Sequence, residues 1–133
     1  MRTISLRQFA DAVELNGYPI AKRAFFVSHK DLDEIYNSDD VLATYPPGDL
    51  VQACAIGQAA LNLGVGPNNL WDAFSEEFPV VAHIVAMNDT GKTPKQIARW
   101  IRTTYKDSLD SIVVSVDEFD YGKVFNNYQG KKV

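Results

Sequence analysis

Thr93-Pro94-Lys95-Gln96-Ile97-Ala98-Arg99-Trp100-Ile101-Arg102-Thr103-Thr104-Tyr105-Lys106 is the stretch from which the rest of the chain is read. Thr93 and Gln96 have the spacing of a capping box: the hydroxyl accepts from the backbone N–H three residues on, and the amide reaches back. Pro94 fits the first helical position, where an N–H would have no helical partner. Ile97, Trp100, Ile101 and Tyr105 then recur at helical spacing. This predicts an amphipathic helix from Pro94 to about Lys106, with Ile97, Trp100 and Ile101 inside. Lys95, Arg99, Arg102 and Lys106 fall within about 60° of one another on the other side, as a cationic ridge.

Upstream, Pro79 opens an apolar run, Val80 to Asn88, that reads as a helix. Its β-branched residues make a strand the alternative, but the run does not alternate. Asp89-Thr90-Gly91 is the loop. Further back, Asp49 is an N-cap candidate for a helix over Leu50–Leu63, apolar all round and therefore expected to be the buried central one. Gly64 ends it. Gly66-Pro67-Asn68-Asn69 reads as a turn, with Asn69 capping a helix from Leu70 to Glu77.

Near the chain start, Ser5 and Gln8 form a second capping box for a helix over about 6–15. Leu6, Phe9, Ala10 and Val13 share one face, and Gly17 is the expected left-handed stop. Phe25-Phe26-Val27 favours a strand; Asp31 to Tyr36 suggests a short helix. Ser111-Ile112-Val113-Val114-Ser115-Val116 reads as a strand, and an unpaired edge there would make a dimer plausible. The expected architecture is mainly α: a single globular domain over 1–133, a bundle of about five helices. Its minor β element is short strands near 23–28, 41–45 and 111–116, and 129–133 is a frayed tail.

The bounds agree. A chain of 133 residues, 46% hydrophobic and 23% charged, can bury one core. The single cysteine cannot form an internal disulfide. No apolar run approaches a membrane span, and the start lacks a signal peptide's basic head and apolar stretch, so a cytoplasmic protein is expected. A net charge of −4 argues against a protein that coats nucleic acid.

Several short motifs recur in a known arrangement. Cys54-Ala55-Ile56-Gly57 lies in an Ala-rich helix, an apolar helix ends in Asn88-Asp89, and Gly91-Lys92-Thr93-Pro94 opens a helix carrying Ile97-Ala98 and Trp100-Ile101. Over residues 49–106 the chain resembles a group of small uncharacterised proteins of actinobacteria and their phages. The resemblance implies a mostly helical fold and a phage origin, and it carries over no catalytic residue.

Charge is segregated along the chain. Asp31 to Thr90 holds ten carboxylates and no lysine or arginine. Gly91 to Lys106 holds five cations, Lys92, Lys95, Arg99, Arg102 and Lys106, and no acid. One reading is a solvated helix face balanced by the protein's own acids. The other is a docking surface: Lys95, Arg99, Arg102 and Lys106 for an acidic protein, a phosphate-bearing ligand or nucleic acid, or the acidic segment Asp31–Asp40 for a partner protein. A helix-turn-helix would need a second helix after Lys106, where a β-branched run follows instead.

Catalytic patterns are weak. Cys54 lies in the most apolar helix with no histidine beside it, so a structural cysteine is expected. His29 and His83 are the two histidines. His83, among valines and isoleucine, reads as a packed side chain. Asp117-Glu118-Phe119-Asp120 lacks the glycine and ligand spacing of a calcium loop. A phosphate loop ending at Lys92-Thr93 would need glycine at position 86, which is Ala86. No catalytic, metal or cofactor residue is therefore assigned. The expected function is a non-enzymatic intracellular interaction factor, a phage accessory protein binding a host or self protein, with nucleic acid and membrane not expected. The alternative is a ligand-binding or hydrolytic protein with a pocket of Cys54, His83, Asn88 and Asp89.

Overall fold

The computed structural model describes residues 2–15, 17–21, 26–28, 49–75 and 80–128. The expectations for Asp31–Tyr36, 41–45 and the tail 129–133 lie outside them, as does His29. Among the described residues the chain runs β1 (Arg2–Ser5), α1 (Leu6–Glu14), β2 (Phe26–Ser28), β3 (Leu50–Ala53), α2 (Ala55–Leu63), α3 (Pro67–Ser75), α4 (Val80–Asp89), α5 (Pro94–Thr104) and β4 (Val113–Val116). A 3₁₀ turn at Tyr121–Lys123 follows. The fold is mainly α with a minor β element.

Both capping boxes form. Gln8 N–H donates to Ser5 Oγ at 3.2 Å, and Ser5 N–H to Gln8 Oε1 at 2.9 Å. At α5 the matching distances are 3.1 Å and 2.9 Å. These ends are set by residues three apart, so no distant part of the fold has to be known to place them. Residues 80–89 are helix, not strand. α4 closes on Gly91, whose φ of 93° is accessible to glycine at no steric cost.

The central helix differs from expectation. Leu50–Ala53 is a strand, not the first turn of α2, and Asp49 is exposed rather than a cap. β3 pairs antiparallel with β2, placing Phe26 opposite Ala53 and Val27 opposite Gln52. Asn127 completes the pairing from the far end of the chain: its Oδ1 accepts from Leu50 N–H at 2.9 Å and its Nδ2 donates to Leu50 O at 2.8 Å. These backbone partners override local helix preference. The helix starts at Ala55, capped by Cys54, and ends at Gly64 in the left-handed conformation.

Three smaller corrections have equally local causes. α3 begins at Pro67, because proline is tolerated in a first turn. Asn69 does not cap it; Asn69 Oδ1 accepts from Asp117 N–H and fixes the exit of β4. Gly17 does not close α1, since the glycines with positive φ among the described residues are Gly64 and Gly91. Instead, buried Asn62 of α2 donates to the carbonyls of Ala12 and Leu15 and so satisfies the helix end.

β1 and β4 form an antiparallel pair, Arg2 opposite Val116 through Ser5 opposite Val113. The 111–116 strand is thus paired along one edge, within the narrower bounds Val113–Val116. α1 packs between α2 and α5, and Phe9 stacks on Phe74 of α3 at 4.6 Å. The C-terminal 3₁₀ turn seals the other end: Tyr121, fully buried, donates its hydroxyl to Val65 O at 2.7 Å.

Candidate functional site

α5 carries the ridge, and the fold divides it. Pro94, Ile97, Ala98 and Ile101 are buried, while Lys95, Arg99 and Lys106 are exposed. Arg102 differs. It leans over α1, donating from Nη2 to Asp11 Oδ1 at 2.7 Å and placing Nη1 2.7 Å from Glu14 Oε2. Those two acids favour its charged form against partial burial, and its pKa is raised. Arg102 therefore ties α5 to α1 and is not an open member of the ridge. Lys95, Arg99 and Lys106 form no ion pair among the described residues. Segment Asp31–Asp40 lies outside those residues.

The split predicts separate effects on stability. Arg102→Ala is expected to lower stability by about 1 kcal/mol, the upper range for a partly exposed ion-pair network. Arg99→Ala should stay within about 0.5 kcal/mol of the parent. Thermal denaturation of the two variants side by side checks this.

Trp100 was expected inside and is half-buried instead. It lies against the neighbouring helix, its ring 5.2 Å from that of exposed His83, with Tyr105 edge-on at 5.9 Å. The cause is α4, which packs beside α5 without covering it. His83 is accordingly a surface residue rather than a packed one.

The four residues of the alternative pocket do not all converge. Cys54, Asn88 and Asp89 meet where the start of α2 abuts the end of α4. Asn88 is buried: Oδ1 accepts from Ala55 N–H at 2.9 Å, and Nδ2 donates to Ala21 O at 2.9 Å and Asp89 Oδ1 at 3.2 Å. Cys54 is buried at the cap, its Sγ accepting from Gly57 N–H at 3.4 Å. His83 stands on the outer side of α4 against Trp100, so it does not serve the thiol as a base.

Burial pushes the Cys54 thiol up to about 11 from an ordinary 9.0, opposed by the backbone N–H groups of Gly57 and Ile56. At neutral pH roughly one molecule in ten thousand carries the thiolate, the reactive form. Native protein at neutral pH is expected to resist a thiol reagent that labels it fully after denaturation. The linkage has a definite sign. The folded thiol keeps a proton that the unfolded one gives up near 9.0, so the contribution is whole below that pH and is lost as pH rises toward about 11.

Among the described residues no group of three or more His, Cys, Asp or Glu side chains is placed to hold a metal ion. No helix there is long and apolar enough to cross a membrane. Comparison with family models, curated proteins and solved structures returns no match. Among the described residues the cationic side of α5 is a charged surface that no ion pair accounts for, and the sequence pattern located it. The exposed outer side of α4 was hidden because an apolar run reads as core.

Proposed function

We propose that the chain is a non-enzymatic interaction protein that docks a partner protein on the cationic side of α5. The observation that carries this reading is the contrast within one ridge. Arg102 is matched by Asp11 and Glu14, whereas Lys95, Arg99 and Lys106 have no such carboxylate among the described residues. Exposed like charges on one helix face add nothing to stability and repel one another. A surface of this kind speeds encounter with an acidic partner and discriminates against basic ones.

The resemblance over residues 49–106 supports an actinobacterial setting and, more narrowly, a phage accessory factor acting on a host protein inside the cell. The test is retention of a host protein from actinobacterial lysate by the parent and by Lys95→Glu/Arg99→Glu/Lys106→Glu. The parent is expected to retain a defined acidic protein, and the variant to lose it while melting at the parent's temperature. Equal retention by both would refute the cationic side of α5 as the docking surface.

A further inference from the structure

Self-docking follows from the docking reading and rests on it, because the molecule carries a complementary charge on another side. Lys95 and Arg99 are exposed on α5, four residues and about 6 Å apart along the helix. α5 packs on α1 and α4. Three exposed carboxylates, Asp72, Asp117 and Asp120, stand elsewhere, on α3 and on the chain leaving β4. Asn69 Oδ1 accepts from Asp117 N–H at 2.6 Å, and Asp72 lies three residues on from Asn69, so it shares that face of α3. The two carboxylates are thereby held about one helical turn apart, the spacing of Lys95 and Arg99. Asp120 is fixed as the cap of the 3₁₀ turn, its Oδ1 accepting from Gly122 N–H at 3.1 Å. None of the three forms an ion pair among the described residues. Within one molecule they are kept from α5. α1 lies between α5 and α2, and the acids stand beyond the far end of α2, where Phe119 N–H donates to Gly64 O at 2.9 Å.

We propose that the cationic side of α5 in one molecule receives the acidic side of a second copy. Lys95 and Arg99 face Asp72 and Asp117, with Lys106 and Asp120 flanking. Two different surfaces meet, so the contact is head-to-tail and repeats from copy to copy. A two-fold contact between ridges would set cation against cation. The net charge of −4 opposes approach of whole molecules, so attraction is confined to this orientation. At about 0.1 M salt the screening length is about 10 Å, long enough for the facing pairs and too short for the whole-molecule repulsion.

Small-angle X-ray scattering of the full chain gives the average mass over a concentration series. Exposed ion pairs are individually weak, so the series runs to about 1 mM, the range of a weak contact. The parent's mass is expected to rise with concentration at about 0.1 M salt. It should return to that of one chain at about 1 M, where the screening length is about 3 Å. Lys95→Gln/Arg99→Gln/Lys106→Gln leaves only the acidic side intact. Asp72→Asn/Asp117→Asn/Asp120→Asn leaves only the ridge, and asparagine at 120 still accepts from Gly122. Each variant is expected to stay a single chain, and an equal mixture to rise toward about twice that mass and no further. A parent of constant mass, either variant assembling as the parent does, or a mixture that stays at single-chain mass would overturn self-docking. Retention of an acidic host protein separates this outcome from docking itself. A parent that stays single, yet retains that protein through Lys95, Arg99 and Lys106, loses self-docking and keeps the docking surface.

Discussion

Tyr121→Ala is expected to lower the stability of the folded chain by about 3–5 kcal/mol, a large share of what an ordinary domain possesses. Tyr121 is among the largest fully buried side chains, and its ring is shared by four others. The centroids of Phe119, Phe26, Tyr128 and Phe125 lie 4.7, 5.5, 5.7 and 6.2 Å away. Truncation empties the centre of that cluster and releases the 3₁₀ turn from α2. Tyr121→Phe keeps the ring and removes the hydroxyl that donates to Val65 O. It should cost roughly 1–2 kcal/mol, the desolvation of one buried carbonyl. Urea denaturation with unchanged slope separates the two. Equal small losses for both variants would mean that the aromatic cluster does not hold the C-terminal segment.

Asn88→Ala is the second large effect. The amide joins three parts of the chain: the first N–H of α2, the carbonyl of Ala21 before β2, and its own helix. Removing it leaves a buried donor and a buried acceptor without that partner, at roughly 1–3 kcal/mol each. Asn88→Asp is informative because the size is kept. The carboxylate still accepts from Ala55 N–H, but it cannot donate to Ala21 O and it faces Asp89 Oδ1, 3.2 Å from the amide nitrogen it replaces. This variant should be at least as unstable as Asn88→Ala at neutral pH and should recover in acid, when the new group is protonated and neutral. A melting series across pH on both variants checks the sign. No recovery in acid would assign the loss to geometry rather than charge.

These residues also mark where sequence reading stops. Thr93 with Gln96 and Ser5 with Gln8 were legible because each pair closes its own bonds within a turn. Leu50–Ala53 was not, because its helix-like pattern is overruled by β2 and by Asn127, 77 positions from Leu50. Asn88, Asn62 and Gln58 looked like ordinary polar punctuation. Their role lies in backbone groups 33 to 67 positions away, such as Ala55, Ala12, Tyr18 and Ala21. The ridge was legible as a set, but not its division. Only the packing of α1 against α5 brings Asp11 and Glu14 to Arg102 and leaves Arg99 outside. Trp100 shows the same limit: helical period gives its angle on α5, and the neighbour that half-covers it is set by the α4–α5 link.

The most direct measurement is an amide chemical-shift map of the full chain as a synthetic glutamate-rich peptide is added. Docking on the cationic side of α5 predicts shifts centred on Lys95, Arg99 and Lys106, shrinking as salt screens the contact. Shifts centred instead on the β1–β4 pair, or none at all, would contradict it.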